Sequence, residues 1–377
     1  MSSIYLHIPF CKQACHYCDF HFSTSLKHKE KMIDAICQEL ALRKEELRTP
    51  MQNIYFGGGT PSLLNVTDFD RIFDSIHSHY DTSQVEEITL EANPDDLNEA
   101  YLQVLEKKTP INRLSIGVQS FIERDLKLMN RAHNASEALE SLQLAKKYFD
   151  NISLDLIYGI PGLSEEEWLR NIEQALSLEI PHLSCYALTV EPKTALAYFI
   201  EKEVIPPVDD ELAKCHFDIL QEKMTEAGYV NYEFSNFGKP GFESKNNTAY
   251  WTGKSYLGIG PSAHSFDGSK RSWNVSNNAI YIKKIQANEL PSESETLTKT
   301  DTYNEYVMTR LRTQWGIDLN EIENKFGLIY RAYLTEQAQE FIKDKLIFEE
   351  NEHYIISPKG KFLSDGIASE LFMLNLK

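Results

Sequence analysis

Over the first 230 residues, apolar positions fall into two alternating rhythms. Short runs rich in Ile, Leu, Val and Tyr stand at 4–8, 53–56, 87–91, 113–118, 152–157 and 183–188, most of them bounded by turn-forming residues. Such runs predict β-strands. Between them, at 29–47, 67–79, 97–106, 136–148, 164–178 and 210–227, apolar residues recur at helical spacing. Strand and helix in steady alternation predict parallel strands joined by crossover helices. Six such units predict an α/β fold, a partial (β/α)6 TIM-like barrel rather than a closed eight-fold one. An open doubly wound sheet is the competing arrangement. Either way ligands gather at strand ends, and Cys11, Gly57, Glu91, Gln119 and Asp155 all fall at predicted strand ends or in the loops after them.

The rhythm changes after about residue 230. Residues 235–278 are rich in Gly, Asn and Ser and include Trp251 and Trp273; irregular structure packed over the strand ends is expected. From about residue 300 the order becomes helix, helix, two short strands and helix, with segments 346–349 and 354–356 reading as a hairpin. This end reads as a small α+β, winged-helix-like module. The expected organisation is a barrel over 1–230, an irregular segment over 231–299 and the module over 300–377.

Composition narrows the partners. With 42% apolar and 25% charged residues, a sizeable core is available to a soluble chain. A net charge of −18 repels phosphate backbones and anionic lipid, so neither nucleic acid nor a membrane surface is an expected partner. From Asp301 on, 13 acidic residues face 9 basic ones, which argues against DNA binding by the winged-helix-like module. No apolar run approaches the roughly 18 residues of a transmembrane helix, and the first residues lack the basic flank of a secretion signal. A cytoplasmic protein is expected. Six cysteines are too few for a disulfide scaffold, and three of them crowd between positions 11 and 18, which points to metal binding in a reducing compartment.

Those three, Cys11, Cys15 and Cys18, have C-x3-C-x2-C spacing. Thiolates are soft ligands suited to iron–sulfur clusters, and a short loop can turn three of them toward one cluster. A [4Fe–4S] cluster held by three thiolates keeps one iron open. The methionyl end of S-adenosylmethionine (SAM) can fill that place, positioning its sulfonium for one-electron cleavage to a 5′-deoxyadenosyl radical. Zinc, with His7, His16 or His21 as fourth ligand, is the metal alternative. Cys37, Cys185 and Cys215 lie within predicted helices and a strand and read as packing residues.

The glycine run Gly57-Gly58-Gly59-Thr60-Pro61 follows the second predicted strand, where backbone groups could receive the amino end of SAM. Glu91, Gln119, Arg131 and Asp155 are ambiguous one by one. Together they offer a guanidinium for a carboxylate, and amide and carboxylate groups for ribose hydroxyls. Asp155 inside an apolar strand is costly without partners, which favours a functional reading.

With Tyr5-Leu6-His7-Ile8-Pro9-Phe10-Cys11, Gly117-Val118-Gln119-Ser120-Phe121, Arg131-Ala132-His133 and the run from Asp155 to Gly162, these pieces resemble the oxygen-independent coproporphyrinogen III oxidase family of radical-SAM proteins, over nearly the whole chain. The resemblance implies a [4Fe–4S] cluster and SAM. It implies that Tyr5 and Tyr17 lie near both, and that Gly58, Gly59 and Thr60 meet the amino end. It gives Glu91 and Arg131 to the methionyl side, Gln119 and Asp155 to the ribose, and Ala187 to the adenine.

Two departures separate this chain from the oxidase branch. A further cysteine expected two residues after the third is Phe20 here, and only ten residues precede Cys11, where the oxidase carries a long segment. Both speak against decarboxylation of coproporphyrinogen. The Cys18-Asp19-Phe20 ending is similar to the heme-chaperone branch, which implies heme as cargo, heme-receiving proteins as partners, and a homodimer supported by cluster and SAM. A radical-SAM enzyme acting on a tetrapyrrole (the decarboxylase or a heme-degrading methyltransferase) is the alternative, and a zinc-stabilised interaction protein the third reading. The branch's H-N-x-x-Y-W motif reads Asn246-Asn247-Thr248-Ala249-Tyr250-Trp251 here. Asn247, Tyr250 and Trp251 match, the leading His does not, and His264 is the candidate replacement as axial heme ligand. A packed histidine and core-filling aromatics are the plainer reading of the same residues.

Overall fold

The computed structural model describes residues 2–47 and 49–374. Six strands make its centre: β1 (Ser2–Ile8), β2 (Met51–Gly58), β3 (Glu87–Ala92), β4 (Arg113–Gln119), β5 (Ile152–Tyr158) and β6 (His182–Ala187). Each pairs in parallel with the next, in the order β1-β2-β3-β4-β5-β6. Strands in sequential order come from winding in one direction, as in a barrel; a doubly wound sheet would reverse its order. That excludes the competing arrangement. Among the described residues β1 and β6 do not pair with each other, so the barrel is partial.

Crossover helices cover the outside. Three of them, Val66–His79, Ala135–Ala145 and Glu165–Ser177, begin in a reciprocal capping box on Asn65, Asn134 and Ser164. Each box satisfies orphan amides and contributes about 1 kcal/mol. Alternation along β1 buries Ile4, Leu6 and Ile8 against helices and turns Tyr5 the other way, into the barrel. On β2, Phe56 meets Phe69 and Phe73 edge-on at 5.5 Å; burying rings of this size stabilises by roughly 1.5–3 kcal/mol each.

The segment after the barrel is not irregular, contrary to expectation. It forms β7 (Val230–Glu233), β8 (Asn236–Gly238), β9 (Ser255–Ile259), β10 (His264–Phe266), β11 (Lys270–Asn274), β12 (Ser292–Thr296) and the helices Lys245–Trp251 and Asn278–Gln286. β9 adds in parallel to the outer edge of β1, and β10 to β12 continue the sheet as an antiparallel meander. Strands of three to five residues are too short to show a period, and the Ser-Glu-Ser-Glu-Thr of β12 is exposed throughout, so no apolar alternation marks it. Buried Glu39 pins this extension to the first helix. It accepts from Tyr281 Oη at 2.6 Å, Asn274 Nδ2 at 2.7 Å, Gly260 N at 2.8 Å and Arg43 Nη1 at 3.1 Å.

The last part carries its own core, which includes Tyr303, Val307, Leu311, Ile322, Phe326 and Leu334. Its helices Lys299–Leu311, Leu319–Phe326 and Leu328–Lys343 accompany β13 (Ile317–Asp318), β14 (Ile347–Glu350) and β15 (His353–Ile356), a winged-helix-like order. Gly327, at φ 90°, separates the second and third of these helices, so three helices rather than the expected two precede the hairpin. The hairpin turns on Asn351 and Glu352, both at positive φ, as a two-residue turn between right-twisted strands requires. Cys185 is buried as expected and Cys37 half-buried, but Cys215 is exposed on the helix Asp210–Glu226 and does not pack. Among the described residues no helix is long and apolar enough to cross a membrane.

Candidate cluster and ligand site

The cysteine loop leaves β1 and is held from several sides. Gly59 N donates to Ile8 O at 2.9 Å, and Thr60 N to Phe10 O at 2.6 Å. His16 N reaches Met129 O, and Leu196 N reaches His16 O. Gln13 Nε2 and Asn130 Nδ2 exchange bonds between this loop and the one after β4. Lys12 pairs with Asp95 at 2.8 Å and with Asp96, beyond β3. Arg131 Nη1 donates to Cys15 Sγ at 3.1 Å. A short loop with this many anchors presents its thiols in one arrangement.

All three thiols are free and partly exposed. Burial pushes Cys18 up to about 11 and raises Cys11, and the charges of the neighbouring thiols push both further in the same direction. A cationic centre among them would reverse the shift. Among the described residues no three His, Cys, Asp or Glu side chains converge as the ligands of one ion would. Thiolates arrayed around a multi-iron cluster stand farther apart than that. The histidines offered to zinc are engaged elsewhere: His7 Nε2 with His21 O at 2.8 Å, His16 Nδ1 with Leu128 O at 2.8 Å, and His21 Nε2 with Asn278 Oδ1 at 2.7 Å. The donor set fits an iron–sulfur cluster better than a single zinc.

The glycine run begins inside β2 rather than after it. A Cβ on Gly59 would stand 2.6 Å from Phe10 O, and one on Gly58, at φ 107°, 2.6 Å from the His7 ring. Only glycine lets the strand end approach the cysteine loop this closely. Glu91 accepts from Tyr55 Oη at 2.8 Å and from Gly58 N at 3.1 Å, and burial still pushes it up to about 7. Gln119 has φ 72° at a register shift between β4 and β5; a non-glycine residue held there costs about 1–3 kcal/mol and often marks a functional position. Arg131 Nη2 donates to Asn93 Oδ1 at 2.6 Å and to Gly117 O at 2.7 Å, while its buried Nε has no partner. Tyr17 packs beside Arg131 and Cys15 and is raised by burial. Ala187 ends β6 and is half-buried.

Asp155 is not at a strand end but in mid-strand, paired with Gly117 and Ser184. It accepts from Ser115 Oγ at 3.3 Å, and burial lifts it to about 6. It faces a cavity of about 230 Å³ in the barrel interior, which Tyr5, Tyr55, Glu91, Arg113 and Tyr250 also line. The predicted residues Tyr5, Glu91 and Asp155 are thus brought together. Tyr55, Asn93, Arg113, Ser115 and Ser184 were missed. Arg113, almost fully buried and ion-paired through Nε with Glu87 at 4.0 Å, carried the same signal as Asp155: a charge inside an apolar strand.

The four residues offered to heme do not form one site. The helix Lys245–Trp251 sits at the N-terminal ends of the strands, where Glu87 accepts from Lys245 N. Asn247 and Tyr250 line the barrel cavity, and Tyr250 meets Tyr256 edge-on at 4.5 Å. Trp251 lies under the Arg312 guanidinium at 5.3 Å. His264 is exposed on β10, its ring 6.1 Å from that of Trp273.

Comparison with known proteins places this geometry. Residues 5–175 match the Radical SAM superfamily, and residues 297–363 match the HemN C-terminal domain. The heme chaperone HemW of Escherichia coli is 38% identical over 98% of this chain and 98% of its own length. Those of Lactococcus lactis and Bacillus subtilis are 34% and 33% identical over 99% and 97% of this chain, each matched over 98% of its own length. The structure of coproporphyrinogen III oxidase (HemN) from Escherichia coli superposes with a TM-score of 0.84, covering 99% of this chain and 90% of that one at 24% identity. That likeness concerns the fold.

Proposed function

The chain belongs to the radical SAM superfamily and, within it, to the heme chaperone HemW family, and from that premise we propose that it binds heme and passes it to heme-requiring proteins. Membership brings a [4Fe–4S] cluster and SAM as cofactors. The observation that carries the chaperone reading over the enzymatic one is near-full-length identity of 34%, 33% and 38% to heme chaperones HemW, together with Phe20 where the oxidase branch has a further cysteine.

In this reading Cys11, Cys15 and Cys18 hold the cluster, which when loaded supplies an electron to SAM. Gly58, Gly59 and Thr60 offer backbone and hydroxyl groups to the amino end. Glu91, fixed by Tyr55 Oη and Gly58 N, takes the ammonium. Arg131 takes the carboxylate while still tied to Cys15 and Gly117, so ligand and cluster loop share one guanidinium. Gln119 and Asp155 hold the ribose, Ala187 borders the adenine, and Tyr5 and Tyr17 shield the site. Action in the cytoplasm, as a homodimer and without nucleic acid, completes the reading; the charge of −18 supports the last point.

The test is anaerobic reconstitution with iron and sulfide. Hemin titration is then followed by absorbance, and coproporphyrinogen turnover is assayed with SAM and a reductant. Hemin uptake without turnover is expected. Formation of protoporphyrinogen would overturn the proposal in favour of the enzyme.

A further inference from the structure

We propose that a cavity between the barrel and the C-terminal module binds a small organic carboxylate with an apolar body, its carboxylate on Lys361 and its body against the facing hydrophobic walls. The site is separate from the heme reading and does not rest on it.

The cavity measures about 230 Å³. One wall comes from the β7–β8 hairpin, through Asn231 and Phe234, and the other from the module, through Leu311, Phe348, Ile355 and Ile356. Phe234 is fixed by stacking on Phe217 at 5.0 Å and by the Arg312 guanidinium 4.9 Å from its ring centre. At about 30 Å³ per water-sized group the space holds roughly eight. That suits a small metabolite with an aromatic or branched body, not a macrocycle or a peptide.

The charges around the cavity call for an anion. The chain carries a net charge of −18, yet among the described residues no Asp or Glu lines this cavity, while Arg312 and Lys361 do. Arg312 is already matched. Its Nη1 donates to Asp365, and its guanidinium lies over Phe234 and Trp251. Glu233, the other acid near Arg312, accepts instead from Asn236 Nδ2 and from Ser235 N at 3.4 Å. Lys361 has no such match. Its Nζ donates to Asn231 Oδ1 at 2.6 Å and to Gln221 Oε1 at 3.1 Å, both neutral amides. No neighbouring acid offsets its burial, which pulls the ammonium down to about 8 and still leaves it mostly charged at neutral pH.

A lysine kept only to tie the module to the barrel gains nothing from a charge that must be desolvated. An ammonium has three N–H donors, and two are used here. Ser364, buried on the same side of the cavity, has a hydroxyl with no hydrogen-bond partner among the described residues. Positions 361 and 364 are one tight turn apart, so their side chains start from the same side. A carboxylate supplies the missing charge and two acceptor oxygens, one for the spare ammonium N–H and one for the hydroxyl.

The test is isothermal titration calorimetry of the full-length protein with phenylacetate as the probe. The neutral 2-phenylethanol and the cationic 2-phenylethylamine share its apolar body. Phenylacetate is expected to bind saturably and at least about tenfold tighter than the alcohol, the difference that one charge-assisted contact makes, while the amine gives no heat. Lys361→Met should bring phenylacetate down to the level of the alcohol, and Lys361→Arg should keep the preference for the acid. Ile355→Trp, which fills the cavity, should abolish binding of both. The comparison of the three probes on the parent protein needs no variant, so a variant that fails to fold does not shelter the proposal. The site is wrong if phenylacetate gives no heat up to about 10 mM, or if acid and alcohol bind the parent equally. Binding that survives both Lys361→Met and Ile355→Trp overturns it too. None of these outcomes involves hemin, so the chaperone reading stands or falls separately.

Discussion

Replacing Arg131 by Met is expected to loosen three loops at once. Its guanidinium supplies Asn93 Oδ1 at 2.6 Å, Gly117 O at 2.7 Å and Cys15 Sγ at 3.1 Å, from the loop after β3, the end of β4 and the cysteine loop. Stripping two oxygens of their donors costs roughly 1–3 kcal/mol each, about 2–6 in total. Part of this is recovered, because the buried Nε has no partner and methionine carries no charge to desolvate. A net loss of about 2–4 kcal/mol remains, which at a slope of about 3 kcal/mol per molar lowers the urea midpoint by about 1 M. The assay is urea unfolding of the ligand-free protein by fluorescence and circular dichroism, completed as a cycle with Asn93→Ala. Because the two residues share a bond, the double variant should lose less than the sum of the singles by about 1–3 kcal/mol. Additivity within about 0.5 kcal/mol would refute the idea that Arg131 couples these loops.

Other consequences are as direct. Cys15→Ser should abolish the visible absorbance of the reconstituted protein, whereas Cys215→Ser, on an exposed helix face, should leave iron and sulfide content unchanged. Gly58→Ala places a Cβ at φ 107° and 2.6 Å from His7, and should lower stability by about 1–3 kcal/mol in thermal unfolding; an unchanged midpoint would show that the strand end relaxes freely. Glu91 and Asp155 are raised to about 7 and 6 by burial, so the ligand-free fold binds protons more tightly than the unfolded chain. Their contribution to stability is present at low pH and is lost as pH rises through 6 to 7. Buried His7, held near 4, acts oppositely below about pH 6.5, so the comparison belongs between pH 6.5 and 8. Over that range Glu91→Gln should flatten the fall in midpoint with pH, and a slope equal to the parent's would contradict the assignment.

How far the site could be read in advance depended on how local its causes are. The cysteine loop and the glycine run were legible because contacts between near neighbours in the chain define them: three thiols in eight positions, and glycines where one backbone crosses another. Asp155 was recognised as a buried charge but placed at a strand end, whereas β5 runs on to Tyr158 and leaves it in mid-strand. Tyr55 and Ser184 gave no signal, since an inward-facing tyrosine or serine looks like any other until the strands curve around a common interior. Cys215 was read as packed because helical spacing does not tell which face meets a neighbour.

Chain order, by contrast, came from the sequence alone. Alternating runs of two periods force parallel strands with covering helices, and three thiols within eight positions mark the cysteine loop as the candidate cluster holder, because both follow from bonds and distances along one stretch of backbone. Tertiary structure decided the rest. Adding β9 to the edge of β1 turned an apparently irregular segment into sheet, and the plugging helix Lys245–Trp251 set the volume of the barrel interior. The β10–β11 register put His264 opposite Trp273. Those outcomes depend on residues far apart in the chain meeting at atomic distance, and no local pattern encodes which strand edge is left open to receive them.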